Sequence, residues 1–220
     1  MKNIHSTDLF SREHTLAQQL FDFDLAWEAI PQISEILQSL IPHLPDDYQE
    51  IQPDVWVGSG TTIGNYVTIQ GPAIIGRNCE LRHCAFLRND VIIGDDVVVG
   101  NSTEIKNAIL FDGVQAPHFN YIGDSILGYK AHIGAGVILS NFRSIAGTVK
   151  VVLADGQKAD TGLVKFGALL GDQVEVGAQT VLNPGAIIGR ESMIYPLVNF
   201  RGTLDSKMIY KEGGQVVAKV

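Results

Sequence analysis

A solenoid of short, stacked, parallel β-strands, preceded by a small helical segment, is the all-β fold that this sequence predicts, on three observations. Val57, Ile63, Ile69, Ile75, Leu81, Leu87, Ile93, Val99 and Ile105 recur strictly six residues apart. Four positions after each stands a residue that is nearly always small or β-branched, from Thr61 and Val67 to Thr103 and Ile109. Glycine, at 23 residues, is abundant and directly follows the aliphatic at 58, 64, 76, 94 and 100. A period of six gives one short strand and one turn per unit, with glycine where the turn needs it. Such a unit cannot bury its apolar face alone, so successive units must stack.

Taken in order, residues 1–50 predict a helical cap on the end of the solenoid. Helical periodicity fits about His14–Phe21 and about Leu25–Leu40, the second with Leu25, Ile30, Ile33, Ile36, Leu37 and Leu40 mostly on one stripe. Pro31 either kinks that helix or starts it. Pro42 and Pro45, with Asp46 and Asp47, end the segment. The solenoid is expected over 51–200. After Ile105 the spacing falters, then returns at Ile122, Leu127, Ile133 and Leu139. Residues 142–163 have no period of six and read as an excursion; loops this long in a compact repeat are usually functional or disordered. The register resumes at Val164, Leu170, Val176, Leu182, Ile188 and Ile194. The tail, 201–220, carries apolar runs around Gly213-Gly214, which suggest a capping hairpin.

Composition bounds the function. An apolar content of 45% with 18% charged residues fits a soluble globular protein. A net charge of −8 argues against a nucleic-acid partner, which would need a basic face. It leaves room for a small anionic substrate held by a few local cations. The two cysteines, Cys79 and Cys84, have no zinc or redox spacing, and Cys79 falls at a small core position. Neither a signal peptide nor a run long enough to span a membrane is visible, so a cytoplasmic setting is expected.

Three hexads to a triangular coil of 18 residues is the pattern of the left-handed parallel β-helix family, which this repeat resembles. In such a coil, residues 18 apart stack one strand spacing apart, about 4.8 Å. The positions after the aliphatics then form three columns: Gly58, Gly76, Gly94; Gly64, Arg82, Gly100; and Gln70, Arg88, Lys106. The third has exchanged glycine for polar and cationic side chains. Arg88 over Lys106 is unfavourable unless solvent or an anion separates them; the column reads either as a solvated surface or as a phosphate clamp. Glu104 flanks Ile105 on the same outward face as Lys106. His118 and Tyr121 sit in APHFNYIGD, where the register slips. His118 reads either as a structural turn residue or as an exposed general base.

The run from Arg88 to Phe142 resembles, without gaps, the acetyltransferase half of the bifunctional glucosamine-1-phosphate acetyltransferase/N-acetylglucosamine-1-phosphate uridyltransferase, and its archaeal sugar-1-phosphate relatives. The resemblance implies acetyl transfer from acetyl-CoA to an amino-sugar 1-phosphate. It makes His118 the base, has Arg88 and Lys106 hold the phosphate with Glu104 beside them, and sets Tyr121 and the residue at His132 on the sugar. Ala135, Asn141, Phe142, Ala178 and Pro196 fall on its acetyl-CoA side. It implies a homotrimer with sites between neighbouring solenoids, and no metal. The family has asparagine where His132 stands and tyrosine where Phe142 stands. Its loop lysine has four candidate counterparts here: Arg143, Lys150, Lys158 and Lys165. The first 50 residues hold no glycine-rich nucleotide loop, so uridyltransferase activity is not expected. Competing readings are an acyltransferase for another sugar amine and a non-catalytic sugar- or nucleotide-binding homologue. A zinc anhydrase of the same fold could use only His83, His118 and His132, at spacings that do not match that branch.

Overall fold

The structure, a computed structural model, describes residues 4–153 and 156–219. Its body is a left-handed parallel β-helix of triangular section. One face stacks Val55–Gly58, Ala73–Ile75 and Val91–Ile93, then the second halves of Glu104–Leu110 and Tyr121–Leu127, and then Ala168–Leu170 and Ala186–Ile188. The second stacks Thr62–Ile63, Glu80–Leu81, Val98–Asn101, Gln115–His118, His132–Ile133, Glu175–Val176 and Met193–Ile194. The third stacks Thr68–Ile69 and Phe86–Leu87, the first halves of Glu104–Leu110 and Tyr121–Leu127, and then Ile138–Leu139, Val181–Leu182 and Asn199–Phe200. The period-six aliphatics point inward and form one continuous core.

That ladder does not stop after Ile105. It continues through Leu110 and Ala116, both fully buried, to Ile122 and Leu127. The steps from Ile105 to Leu110 and from Ile122 to Leu127 take five residues instead of six, so Val91 pairs with Ala108 and Glu104 with Tyr121 at a spacing of 17. Each strand runs through its shortened corner, with Asn107 (φ 45°) and Asp124 (φ 48°) in the left-handed region. Asn and Asp enter that region more readily than other side chains. At the far end of the excursion the expected ladder position fails: Val164 is 59% exposed, and the core resumes at Leu170.

The helical segment packs on a flank of the solenoid and not on its end. On the first face the six strands from Ala73–Ile75 to Ala186–Ile188 read Ala-Ile-Ile, Val-Ile-Ile, Ala-Ile-Leu, Ser-Ile-Leu, Ala-Leu-Leu and Ala-Ile-Ile. Alternation turns the middle residue outward, so Ile74, Ile92, Ile109, Ile126, Leu169 and Ile187 form an apolar stripe outside the prism. All six are buried, beneath Leu9, Phe10, Trp27, Ile30, Ile33 and Leu37. An end-on cap would leave this stripe in water. Within the segment, 3₁₀ turns at Arg12–His14 and Gln18–Asp22 replace the helix expected over His14–Phe21. The second helix is divided: a 3₁₀ stretch, Ala26–Gln32, contains Pro31, and the α-helix begins at Ile33 and runs to Leu40. Proline removes a backbone donor and crowds the preceding turn.

The excursion leaves the solenoid after Ile138–Leu139 and folds as an antiparallel hairpin, Lys150–Val152 against Lys158–Asp160. Val149, Val151 and Leu153 join the flank cluster on its inner side. At the tail, Met208–Tyr210 extends the second face and pairs with Val216–Ala218 in the expected hairpin. Cys79 is buried, and burial pushes its thiol up to about 11. No helix among the described residues is long and apolar enough to cross a membrane.

The flank packing makes a direct prediction. Ile109→Ala, which removes a side chain facing the helical segment, should cost about 2–5 kcal/mol of unfolding free energy. Thr62→Ala, at an exposed outward position of the second face, should stay within about 0.5 kcal/mol. Denaturant titration of both variants checks this.

Candidate active site

Two edges of the prism bound the third face, and the candidate residues divide between them. Strand register puts Arg88, Lys106, Gly123, Ser140, Asn183 and Arg201 in one column along the first edge. The stacking expected of Arg88 and Lys106 is present. Their repulsion is offset within the chain, because each cation has its own carboxylate. Arg88 Nη1 donates to Glu104 Oε1 at 3.1 Å, and Lys106 Nζ donates to Asp124 Oδ1 at 3.1 Å. The first pair is about a third exposed and contributes little to stability. The second is withdrawn from water, with side chains 16% and 5% exposed.

Asp124 is the hub of this edge. Besides Lys106 it accepts a bond from Asn107 Nδ2 at 2.8 Å, while Asn141 Nδ2 donates to its other oxygen. The two shortened corners are thereby tied to each other and to the first residues of the excursion. Sequence reasoning missed Asp124, because an acid after Ile122-Gly123 looks like any corner residue. The available signal was the spacing of 17, which sets Asn107, Asp124 and Asn141 above one another. Tyr121 lies outward on the third face, directly opposite Glu104. A Cβ on Gly123 would come within 2.7 Å of both the Tyr121 hydroxyl and Asn141 Nδ2, so those two groups close over the glycine. Burial raises the Tyr121 phenol pKa, and a hydrogen bond with Asn141 opposes that. Lys165 lines a groove with Asn107 and Asp124, which separates it from the other three candidate loop cations.

The second edge carries His118, Ala135, Ala178 and Pro196. Its corners are bonded in series: the carbonyls of His118, Ala135 and Ala178 accept from the N–H groups of Gly136, Gln179 and Leu197 at 3.0, 2.8 and 3.0 Å. Pro117 seats against Gly100, where a Cβ would collide with the Pro117 carbonyl, and His118 follows it as an exposed corner residue. His118 thus ends the second-face strand Gln115–His118, just before Tyr121–Leu127 crosses the third face towards Asp124. His132 does not join Arg88, Lys106 and Tyr121. Its Nδ1 lies 2.8 Å from Glu175 Oε2 on the second face, in a mainly apolar groove shared with Ala178 and Pro196. Phe142 is also set apart: it is exposed, bridges to Lys165 through the backbone, and borders a groove under the excursion hairpin. Among the described residues no three His, Cys, Asp or Glu side chains converge as metal ligands.

The arrangement thus offers cations, a phenol and a carboxamide on one edge of a strand face, and an exposed imidazole above a row of backbone amides on the other. The chain belongs to the family described as the GMPPB C-terminal domain, whose model matches residues 69–192, more than half of its length. A bifunctional sugar-1-phosphate nucleotidylyltransferase/acetyltransferase of Sulfurisphaera tokodaii is 33% identical over 66% of this chain and 35% of its own. The bifunctional protein GlmU of Methanococcus maripaludis is 30% identical over 61% of this chain and 33% of its own. The chain therefore spans about a third of the length of these curated relatives. Among solved structures, an Arabidopsis UDP-N-acetylglucosamine acyltransferase superposes with a TM-score of 0.45 at 13% identity, over 76% of this chain and 71% of that one.

Asp124→Ala should cost about 3–5 kcal/mol, because it leaves the Lys106 ammonium buried without a partner. Adding Lys106→Met should restore much of that loss, a coupling that a double-mutant cycle by denaturant titration measures.

Proposed function

We propose that the protein is an acyltransferase that moves an acetyl group from acetyl-CoA to the amine of an amino-sugar phosphate. The observation that carries this reading is the gathering of Arg88, Glu104, Lys106, Tyr121 and Asn141 on one edge, in the register of a family whose relatives include named acetyltransferases. His118 takes the proton as the neutral amine attacks the thioester carbonyl. Arg88 and Lys106, oriented by Glu104 and Asp124, position the anionic end of the acceptor, so their contribution is alignment rather than bond chemistry. The Ala135 N–H, next to the Gly136 N–H that the His118 carbonyl already takes, stabilises the oxyanion as it develops. Collapse of that intermediate expels the CoA thiolate, and no covalent enzyme intermediate is needed. Ala178 and Pro196, stacked below Ala135, supply a backbone surface for the CoA arm.

A homotrimer is part of the same reading. Tyr66, Phe119 and Leu197 stand exposed at corners of the second edge, a surface suited to a neighbouring solenoid. Both cations of the first edge already carry an internal carboxylate, and His132 lies apart from them. An acceptor other than a simple hexosamine 1-phosphate is therefore the second reading.

Thiol release from acetyl-CoA, measured against a panel of amino-sugar phosphates, tests the proposal. The wild type should release CoA with at least one acceptor, and His118→Ala should lower kcat by about 10²–10⁴-fold. Absence of release with every acceptor would sink the acyltransferase reading. Release indifferent to His118→Ala would remove only the base.

A further inference from the structure

Below Asn141 on the first edge, the excursion hairpin roofs a groove of about 480 Å³ whose lining includes Arg143, Lys150, Lys158 and Arg201. Lys150, Val152 and Lys158 lie on one side of the hairpin, because Val152 pairs directly with Lys158. Arg201 rises from the solenoid beneath, with its Nη2 3.4 Å from Asn183 Oδ1. The Arg143 guanidinium donates to the Thr148 carbonyl, which holds it in place. No carboxylate lines the groove among the described residues. Asp160 stands opposite Lys150 across the hairpin; a Thr148 hydrogen bond lowers its pKa first, then the Gly162 N–H, with Lys150 and Arg143 adding to the effect. Among the described residues the lining thus carries four cations and no carboxylate, on a chain whose net charge is −8. By contrast, Arg88 and Lys106 are neutralised one for one.

We propose that this groove binds the diphosphate of a nucleoside-diphosphate-linked compound. Four cationic side chains spread over the hairpin and the solenoid suit two linked phosphoryl groups better than one, with arginine forks and lysine point charges for their several oxygens. Phe142, 57% exposed at the rim, offers a face on which a base can stack. Position along the column gives an independent reason. Gly123 lies in the coil that His118 begins, Asn183 two strand spacings further on and Arg201 three. The lining starts one spacing on, at Ser140, but a ligand reaching from the level of the imidazole to the Arg201 cation spans roughly 14 Å along the axis at about 4.8 Å per spacing. One sugar ring with one phosphate is shorter than that; a sugar joined through a diphosphate to a nucleoside is not. The inference rests on the acyl-transfer reading only in taking the sugar end to lie at His118, and it gives the acceptor's phosphates to this groove in place of Arg88 and Lys106, which keep their own carboxylates. The nucleotide portion of CoA carries the same diphosphate chemistry, so the test separates the two sources.

Binding of UDP, GDP, inorganic pyrophosphate, inorganic phosphate and acetyl-CoA is measured by calorimetry at constant ionic strength. It is applied to the wild type, to Lys150→Ala/Lys158→Ala and to Arg201→Gln, with circular dichroism and a thermal melt for each. The expected result is pyrophosphate and at least one nucleoside diphosphate bound more tightly than phosphate. Their affinity should fall about tenfold or more in each folded variant, the loss of one charge-assisted contact, with acetyl-CoA affinity unchanged. Affinity for UDP, GDP and pyrophosphate that is absent, or equal in wild type and variants, overturns the proposal. A loss confined to acetyl-CoA also overturns it, by giving the groove to the acyl donor. His118→Ala should bind UDP or GDP as the wild type does. Nucleotide binding without acyl transfer would overturn the catalytic reading and leave this site standing.

Discussion

One residue fewer at a corner is the constraint on which this molecule's candidate chemistry depends. A six-residue step lets the chain relax into a turn between strands. The five-residue steps from Ile105 to Leu110 and from Ile122 to Leu127 leave no such turn, so a single strand must bend through each corner. At the bends Asn107 and Asp124 take the left-handed conformation, which Tyr66, Cys84 and Leu197 also take at full-length corners; here it falls on side chains that can hydrogen-bond. Having done so, their side chains meet across one strand spacing and recruit Lys106 and Asn141. A local shortage of backbone becomes a part-buried polar network around the buried Asp124 carboxylate, and networks whose members are paired rigidify rather than destabilise.

The same edge links the site to the rest of the fold. Asn107 Nδ2 also reaches towards the Ile30 carbonyl at 3.4 Å, so the corner network touches the helical segment. On the other side, the Asp124 carbonyl receives the Gly167 N–H and the Asn141 carbonyl receives the Phe166 N–H, which anchors the return of the excursion. The helical segment, the excursion and the solenoid therefore share one seam. The apolar stripe from Ile74 to Ile187 supplies its burial, and the Asp124 network supplies its register. The opposite edge is plainer, a series of corners bonded through their backbones that presents His118 in the open.

Much of this was legible in the sequence. The inward ladder and its small partners gave the solenoid, because period six is strict wherever a coil is regular. Arg88 over Lys106 followed from the same periodicity, and the family resemblance pointed to Tyr121 near them; it set Asn141 on the acetyl-CoA side, and not with Asp124, to which its side chain is bonded. The errors have a common physical origin. Tracking only inward positions hid the outward isoleucines, so the helical segment was expected on the end instead of on the flank. Expecting 18 residues per coil turned a shortened corner into an apparent interruption and hid Asp124, whose partners Asn107 and Asn141 lie at a spacing of 17. Val164 fits the period in number alone; the chain there is still returning from the excursion. The groove beneath the hairpin was not legible, since Lys150, Lys158 and Arg201 converge only after strands far apart in sequence have paired.

If the Asp124 network holds the seam together, weakening its charge should loosen that seam and little else. Native-state hydrogen exchange on Asp124→Asn, which keeps the shape and removes the anion, tests this most directly. The account predicts that the amides of Asn107, Ala108, Phe166 and Gly167 lose protection by about tenfold or more, a change of roughly 1.4 kcal/mol. The amides of Gly76 and Gly189, bonded to Ile93 and Leu204 elsewhere on the first face, should keep theirs. Unchanged exchange along the seam, or an equal loss over the whole solenoid, would contradict it.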